Sequence, residues 1–466
     1  MISGLAHVNI LVPPGTLAQA DHFYGETLGL KPREVPKLQK NSLRWFDIGD
    51  SGQQVHVALG MNETKSSRHP CFKIESPDAL LQLRQRIWEH FTNGGPAAPQ
   101  EADRPGDKDS AVRLFTNICT LPFYTFLFIF SSQRPCRQWT YKQAISVHII
   151  RLVISALSLR GKTPPAKLEP GAEGDRFVVI PPAVSSTYKE ITRIDREIQP
   201  AQTGATWYPN RPQKATELEQ VVLHFHGGAY VIGDGREQDA GFLARTLLKA
   251  GKGRISHVLC SQYRLSAGDR QGRFPAALQD ALTCYAHLVR TQGVAPERIV
   301  VSGDSAGANL SLALLRYLES YGESLGLKPP GNVWLWSPWL DAVASSKKPS
   351  DSAPHFQTDY VTEAFGHWGA SCLMPDPSTG ITIHNPYIQA YGNPFATTAK
   401  LFVHTGGLEF MANPILTFIE QMRSVKGNVV EDHLSEYGPH DIILLGEKLG
   451  FEREALEAAK AAVQSL

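Results

Sequence analysis

The chain has 466 residues, more than one ordinary domain holds. Of these 42% are hydrophobic and 20% charged, which supports a sizeable core and excludes a disordered protein. Its 46 Lys and Arg nearly cancel 45 Asp and Glu, so the basic surplus of a general nucleic-acid binder is missing. Six cysteines (Cys71, Cys119, Cys136, Cys260, Cys284 and Cys372) follow neither C-x-x-C nor zinc spacing and read as buried thiols of a reducing compartment.

The opening MISGLAHVNILVPPG has no basic stretch followed by a long apolar run, so no secretory leader is expected and the expected location is the cytoplasm. Apolar patterning then predicts strands over 4–12, 43–49, 53–60 and 69–75, with helices over 17–29 and 78–91. Residues 93–110, NGGPAAPQEADRPGDKDS, are Pro-, Gly- and charge-rich and read as a linker. The run 114–132, LFTNICTLPFYTFLFIFSS, has about the length of a membrane span. It contains Asn117, three threonines and Pro122, and basic residues only after it (Arg134 and Arg137). That pattern predicts an amphipathic or buried helix of a lid and leaves peripheral membrane contact open.

Further on, short continuous apolar strands (221–227, 255–260, 298–304, 332–338, 400–406 and 429–434) alternate with helices that include 276–291, 307–325, 414–426 and 451–464. Strands apolar along their whole length belong to a parallel sheet covered on both faces. Residues 341–399 hold no clear strand–helix unit and read as a lid inserted after one strand. The expected fold is α/β, a doubly wound, mostly parallel sheet with a helical cap, preceded by a small α+β unit. The expected boundaries are 1–92, a linker at 93–110, and 111–466, with the cap drawn from 111–200 and 341–399.

Between the strand 298–304 and the helix that follows lies Gly303-Asp304-Ser305-Ala306-Gly307, a G-x-S-x-G turn. Small residues beside Ser305 permit a sharp turn that exposes its hydroxyl at the positive end of a helix, the setting of a nucleophile. An earlier strand ends in LHFHGGAYV (223–231), where the N–H groups of Gly227 and Gly228, joined by that of Ala306, form a candidate oxyanion hole. His226 reads as a structural residue of that loop. A serine nucleophile also needs a base and an orienting carboxylate at strand ends. His440, in the loop Ser435–Asp441, and Glu409, after the strand 400–406, supply them in the order Ser…Glu…His. Asp341 is the rival acid, and His224, His404 and His433 are weaker candidates for the base.

HGGAY, YRLSAGDRQGRFPAALQDA (263–281), GDSAG and GPHD together resemble the hormone-sensitive-lipase branch of α/β-hydrolases, over about 111–466. The resemblance implies esterase or lipase chemistry without a cofactor, Ser305 as nucleophile, His440 as base, and structural roles for Arg264 and Asp280. The chain departs from the usual pattern at Ala229, which stands for a third glycine, and at Glu409, where Asp is commoner. The first 92 residues resemble vicinal-oxygen-chelate (glyoxalase-like) domains, which pair βαβββ modules around a divalent metal. His7 and His69 match two ligand positions there and His56 is nearby, but the third ligand has no counterpart, so no metal site is expected. The resulting expectation is hydrolysis of a small, apolar carboxylic ester, lactone or amide through an acyl-enzyme. A non-catalytic binding protein on the same fold and a metal-dependent lyase or dioxygenase of the N-terminal region are the alternatives.

Overall fold

The computed structural model describes residues 7–36, 39–60, 74, 76–99, 102, 121–164, 166–267, 271–347, 355 and 357–466. The chain divides into two units, Met1–Arg113 and Leu114–Leu466.

In the first unit β1 (His7–Val12) is followed by α1 (Leu17–Ala20, continuing as a wider turn to Thr27), β2 (Lys31–Arg33), β3 (Leu43–Asp47) and β4 (Gln54–Leu59). The sheet order is β1-β4-β3-β2, with β1 parallel to β4 and the other pairs antiparallel. Alternation sends Val8, Ile10, Phe46, Val55 and Val57 to one face, where they pack with Ala20 and Tyr24 of the α1 segment. The other face carries His7, Trp45 and His56, whose rings stack in series. Helix α2 (Pro77–Asn93) starts at Ser76, whose hydroxyl accepts the Ala79 N–H at 3.1 Å. His69 and nearly all of the strand expected over 69–75 lie outside the described residues.

The second unit is built on an eight-stranded sheet of order β12-β11-β10-β9-β7-β8-β6-β5. Its strands are β5 (Phe177–Ile180), β6 (Thr203–Tyr208), β7 (Val221–Phe225), β8 (His257–Gln262), β9 (Ile299–Asp304), β10 (Asn332–Trp336), β11 (Lys400–Gly406) and β12 (Val430–Ser435). All pairs from β8 to β12 are parallel; β6 and β5 complete one edge antiparallel. Residues 177–180, within the 111–200 stretch expected to build the cap, are thus sheet, as are 203–208 beyond it. Their short runs, FVVI and TGATWY, are too brief and too mixed to announce strands.

Alternate residues of the central strands enter opposite layers. Val222, Val258, Val300, Trp334 and Phe402 pack under α4 (Glu237–Gly251) and under α10 (Glu452–Gln464), the last helix of the fold. Leu223, Leu259, Val301, Leu335 and Val403 pack on the other side with α5 (Ala276–Ala286), α6 (Ala306–Leu325) and α8 (Ala412–Ser424). Burial on both faces is why these strands read as continuous apolar runs.

The described part of the expected cap begins with residues 121–127, which are helical, and α3 (Tyr141–Arg160); residues 114–120 of the apolar run lie outside the described residues. Thr140 and Gln143 close a reciprocal capping box at the start of α3, and Gly161 ends it in the left-handed conformation. Trp139 Nε1 donates to Tyr437 O at 2.7 Å and Gln143 Nε2 to Gly450 O at 2.9 Å, seating α3 on α9 (Ile442–Leu449) and its flanking loops. Helix α7 (Glu363–Leu373), within the 341–399 insertion, completes the cap.

Candidate active site

The G-x-S-x-G turn is imposed by close backbone approaches. A Cβ at Gly307 would overlap the Phe225 carbonyl of β7, and one at Gly303 would overlap the Gly307 carbonyl. Glycine at both positions lets α6 start directly behind β9. Ser305 sits at φ 49°, ψ −114°, a strained conformation for a side-chain-bearing residue. The surrounding backbone holds it there: Ser305 N donates to Trp336 O at 2.8 Å, and Ser305 O accepts from Trp339 N at 3.0 Å. Ser305 lines a cavity of about 460 Å³ whose walls include Ala229, Trp339, Val361, Phe365 and Met411.

The loop after β7 runs against this turn. A Cβ at Gly227 would overlap the Asp304 carboxylate and lie 3.1 Å from Ser305 Cβ, so only glycine fits. Ala229 adopts φ 52° and Tyr230 φ 61°. The alanine in place of a third glycine therefore occupies the left-handed region, at a cost of about 1–2 kcal/mol. Its methyl faces Gly369 of α7, which has no room for a Cβ of its own. Ala306, the first residue of α6, is fully buried beside this loop's partner, Ser305.

His440 and Glu409 meet at the C-terminal ends of β12 and β11. His440 Nδ1 lies 2.7 Å from Glu409 Oε2, and both side chains are buried. Glu409 Oε1 accepts the Gly406 N–H at 2.7 Å, which fixes the carboxylate plane. Burial pushes Glu409 above the ordinary carboxylate value against the pull of His440. Burial also opposes charge on His440, but Glu409, with Asp359 and Asp304 behind it, outweighs that and raises the imidazole above its ordinary value. The rival acid Asp341 is engaged elsewhere. Its Oδ1 accepts Ala344 N at 2.8 Å and Gln389 Nε2 at 3.0 Å, on the wall of the cavity.

The other histidines are occupied by core contacts. His224 bridges Ser302 Oγ at 3.1 Å and Asp304 Oδ1 at 2.9 Å. His404 contacts Ser435 Oγ at 2.9 Å, and burial, helped by His433 and His440, pushes it down to about 3. His226 stacks on Tyr263, 4.3 Å between ring centres, and burial holds it below its ordinary value. Arg264 forks onto the buried carboxylate of Asp280 at 2.8–3.1 Å, tying the loop after β8 to α5.

Two supports escaped the sequence reading. The first is Asp359, from the 341–399 insertion. Its Oδ1 accepts from Tyr360 N at 2.7 Å and from Val361 N and His440 N at 3.3 Å, and its Oδ2 from Phe410 N at 2.6 Å. One fully buried carboxylate thus holds the backbone beside Glu409 and at His440. No local pattern marks it, because its partners are distant in the chain. The second is Asp441, adjacent to His440. Its Oδ1 and Asp304 Oδ2 are buried and have no conventional donor among the described residues. They satisfy each other when one carboxyl keeps its proton. Burial and the charge of Asp304 push Asp441 well above the ordinary carboxylate value. For Asp304 burial acts upward too, but His224 and the Asp441 hydrogen bond hold it below. The GDSAG and GPHD motifs contain both residues; their pairing is visible only in three dimensions.

In the first unit His7 and His56 stack at 4.3 Å, and no group of three His, Cys, Asp or Glu side chains suited to a metal occurs among the described residues.

Residues 222–444 match a family described as alpha/beta hydrolase fold, and the sheet, elbow and strand order give the second unit that fold. The chain is 35% identical over 122 residues to an acetyl-hydrolase of Streptomyces hygroscopicus, covering 26% of this chain and 36% of that protein. It is 30% identical over 199 residues to an esterase of Mycobacterium tuberculosis, covering 41% of this chain and 55% of that one. The chain thus spans between a third and somewhat over half of the length of these relatives. Of the solved structures, an esterase/lipase from an uncultured bacterium aligns at 19% identity and a TM-score of 0.47, over 68% of this chain and 98% of that one.

Proposed function

We propose that the second unit is a serine hydrolase cleaving carboxylic esters of small, apolar molecules. The observation that carries this reading is the buried His440–Glu409 pair at 2.7 Å, set at the strand ends of the same sheet whose strained elbow presents Ser305 to the 460 Å³ cavity. In the proposed cycle His440 accepts the Ser305 hydroxyl proton as Oγ attacks the ester carbonyl. Glu409 holds the imidazole tautomer and stabilises the imidazolium. The N–H groups of Gly227, Gly228 and Ala306 receive the oxyanion. The alcohol leaves with the proton from His440, and a water activated by the same ring releases the acid. The apolar walls, with Trp339, Phe365 and Met411, favour an apolar substrate.

Ser305→Ala tests the reading with p-nitrophenyl esters of increasing chain length. We expect turnover to fall by about 10³-fold or more with the fold intact, and a fluorophosphonate probe to label the wild type and not the variant. A folded variant within tenfold of wild type refutes the nucleophile. Failure of the probe on an intact wild type would instead favour a binding protein.

For the first unit we propose a single βαβββ module of the vicinal-oxygen-chelate kind, on the grounds of its element order and its β1-β4-β3-β2 sheet. We assign it no metal.

A further inference from the structure

Residues 121–168 hold seven Lys or Arg and no Asp or Glu, in a chain with 46 Lys and Arg against 45 Asp and Glu overall. The same stretch exposes an unusual amount of apolar surface. Phe123, Phe126, Ile129 and Phe130 are 58%, 64%, 57% and 53% exposed. In α3 Ile149, Val153 and Leu159 are exposed between Lys142 at its start and Arg160 at its end. A helix on the surface of a water-soluble domain turns a polar face outward; one apolar all round is normally buried or in lipid. α3 is long and apolar enough to cross a membrane, yet only 28% of its apolar window is buried in the fold.

This surface is built, not loose. Tyr124 packs on His148 of α3 at 4.6 Å, and Tyr141 Oη donates to Thr125 O at 3.1 Å. Arg134 donates to the carbonyls of Phe128, Ile129 and Trp139, so the aromatic side chains around it project outward from a pinned turn. Arg137, Arg160, Lys162 and Lys167 of the same stretch are exposed.

We propose that this face of the cap docks on an anionic lipid bilayer. Aromatic and aliphatic side chains lie at the headgroup–acyl boundary while Lys and Arg reach lipid phosphates; the stretch itself brings no carboxylate, and Glu452 beside it is paired with Lys142. The contact is peripheral and does not span. Near its middle α3 is tied to the fold by Arg151 Nε, which donates to Asp359 O at 2.7 Å, and at its start by Gln143 and Lys142, the latter 3.0 Å from Glu452. Insertion across a bilayer would break all three. The proposal stands whether or not the cavity hydrolyses esters.

The test is sedimentation of the full chain with phosphatidylglycerol or phosphatidylcholine vesicles at about 0.1 M salt. We expect at least about tenfold stronger binding to phosphatidylglycerol, released at about 0.5 M salt as the headgroup charge is screened. The exposed triple variant Phe123→Ser, Phe126→Ser, Phe130→Ser, and separately Arg160→Gln with Lys162→Gln, should each weaken binding about fivefold or more. Both should keep the wild-type melting temperature and hydrolysis of a soluble short-chain ester. No binding to phosphatidylglycerol, equal binding to the two lipids, or binding untouched by both variants overturns the proposal. So does a dimer on gel filtration that the triple variant dissolves without any vesicle binding, because a second copy is then the occupant. Should the triple variant not fold, the charge variant decides.

Discussion

Asp304, in the turn that carries Ser305, and Asp441, in the loop that carries His440, are buried carboxyls each with one oxygen lacking a conventional donor among the described residues, and one proton held between them would satisfy both. The groups near the pair are His224 and His226 from β7 and its loop, Cys260 of β8, Tyr263, Tyr360, Glu409 and His440. Asp441 has a higher value folded than unfolded. Its contribution is complete below the ordinary Asp value and drains away as pH rises through the raised folded value. Two carboxylates would then repel at the junction of the elbow and the base loop. Asp441→Asn replaces the shared proton with an amide donor that does not titrate. We expect near-wild-type turnover at neutral pH, with a weaker alkaline decline in both kcat and melting temperature. Asp441→Ala leaves Asp304 Oδ2 without a donor and should lower stability by about 1–3 kcal/mol and turnover with it. Superimposable alkaline limbs for wild type and Asp441→Asn would show that no proton is shared.

The acid limb reports on the other buried pair. His440 must be neutral to accept the Ser305 proton, and Glu409 with its neighbouring carboxylates raises its value. The midpoint of kcat/KM in ester hydrolysis should therefore lie above the ordinary imidazole value of about 6.5. Glu409→Gln removes the negative charge, and turnover should fall by as much as about 10⁴-fold, with any residual midpoint shifted down. Asp341→Asn should change neither, since its oxygen serves an N-cap and Gln389. The reverse outcome would move the acid to the loop after β10.

Asp359 couples the cap to both of these loops. Its carboxylate accepts from four backbone N–H groups, among them those of Phe410 and His440, while Arg151 of α3 donates to its own carbonyl. Asp359→Ala strands these donors in a dry interior and should cost about 2 kcal/mol or more on denaturant unfolding. Because Asp359 is a positioning residue, the loss should fall on kcat with KM little changed. Asp359→Asn, which retains one acceptor oxygen, should recover part of it. A rise in KM alone, with kcat intact, would place Asp359 among the groups that only shape the cavity.

What could be read from the sequence followed from local physics. Ser305 stands out because Gly303 and Gly307 permit a backbone crossing that no other residue allows, and the central strands because burial on both faces leaves a continuous apolar run. The sequence reading names neither β5 nor β6, and places β5 in the cap, because an antiparallel edge of four and six residues carries no such run. Asp359, in the insertion, and the proton between Asp304 and Asp441 depend on contacts between segments far apart in the chain, and periodicity carries no information about those. Ala229, the departure from a third glycine, sits at φ 52°, where glycine is the usual residue.

The first unit should be dispensable for hydrolysis. Every residue placed in the proposed machinery, from Gly227 to Asp441, lies in Leu114–Leu466, as do the cavity walls and both parts of the cap. The first unit has its own small core of Phe46, Val55, Val57 and Ala20, so each part can bury its apolar surface separately. A chain beginning at Ala111 should therefore keep most of the ester turnover and the melting temperature of the second unit. Starting later, beyond α3, would expose Trp139, Val147 and Ile154 and the cap residues packed on them, and should cause aggregation. Chelator treatment of the full chain should leave turnover unchanged, since His7 and His69 match only two ligand positions, too few for a zinc or iron site, and no metal-holding group of three occurs among the described residues. A folded 111–466 chain without activity, or inhibition of the full chain by chelator that added metal reverses, would make the first unit a partner in the chemistry. The His7–His56–Trp45 face would then be the place to look for its contribution.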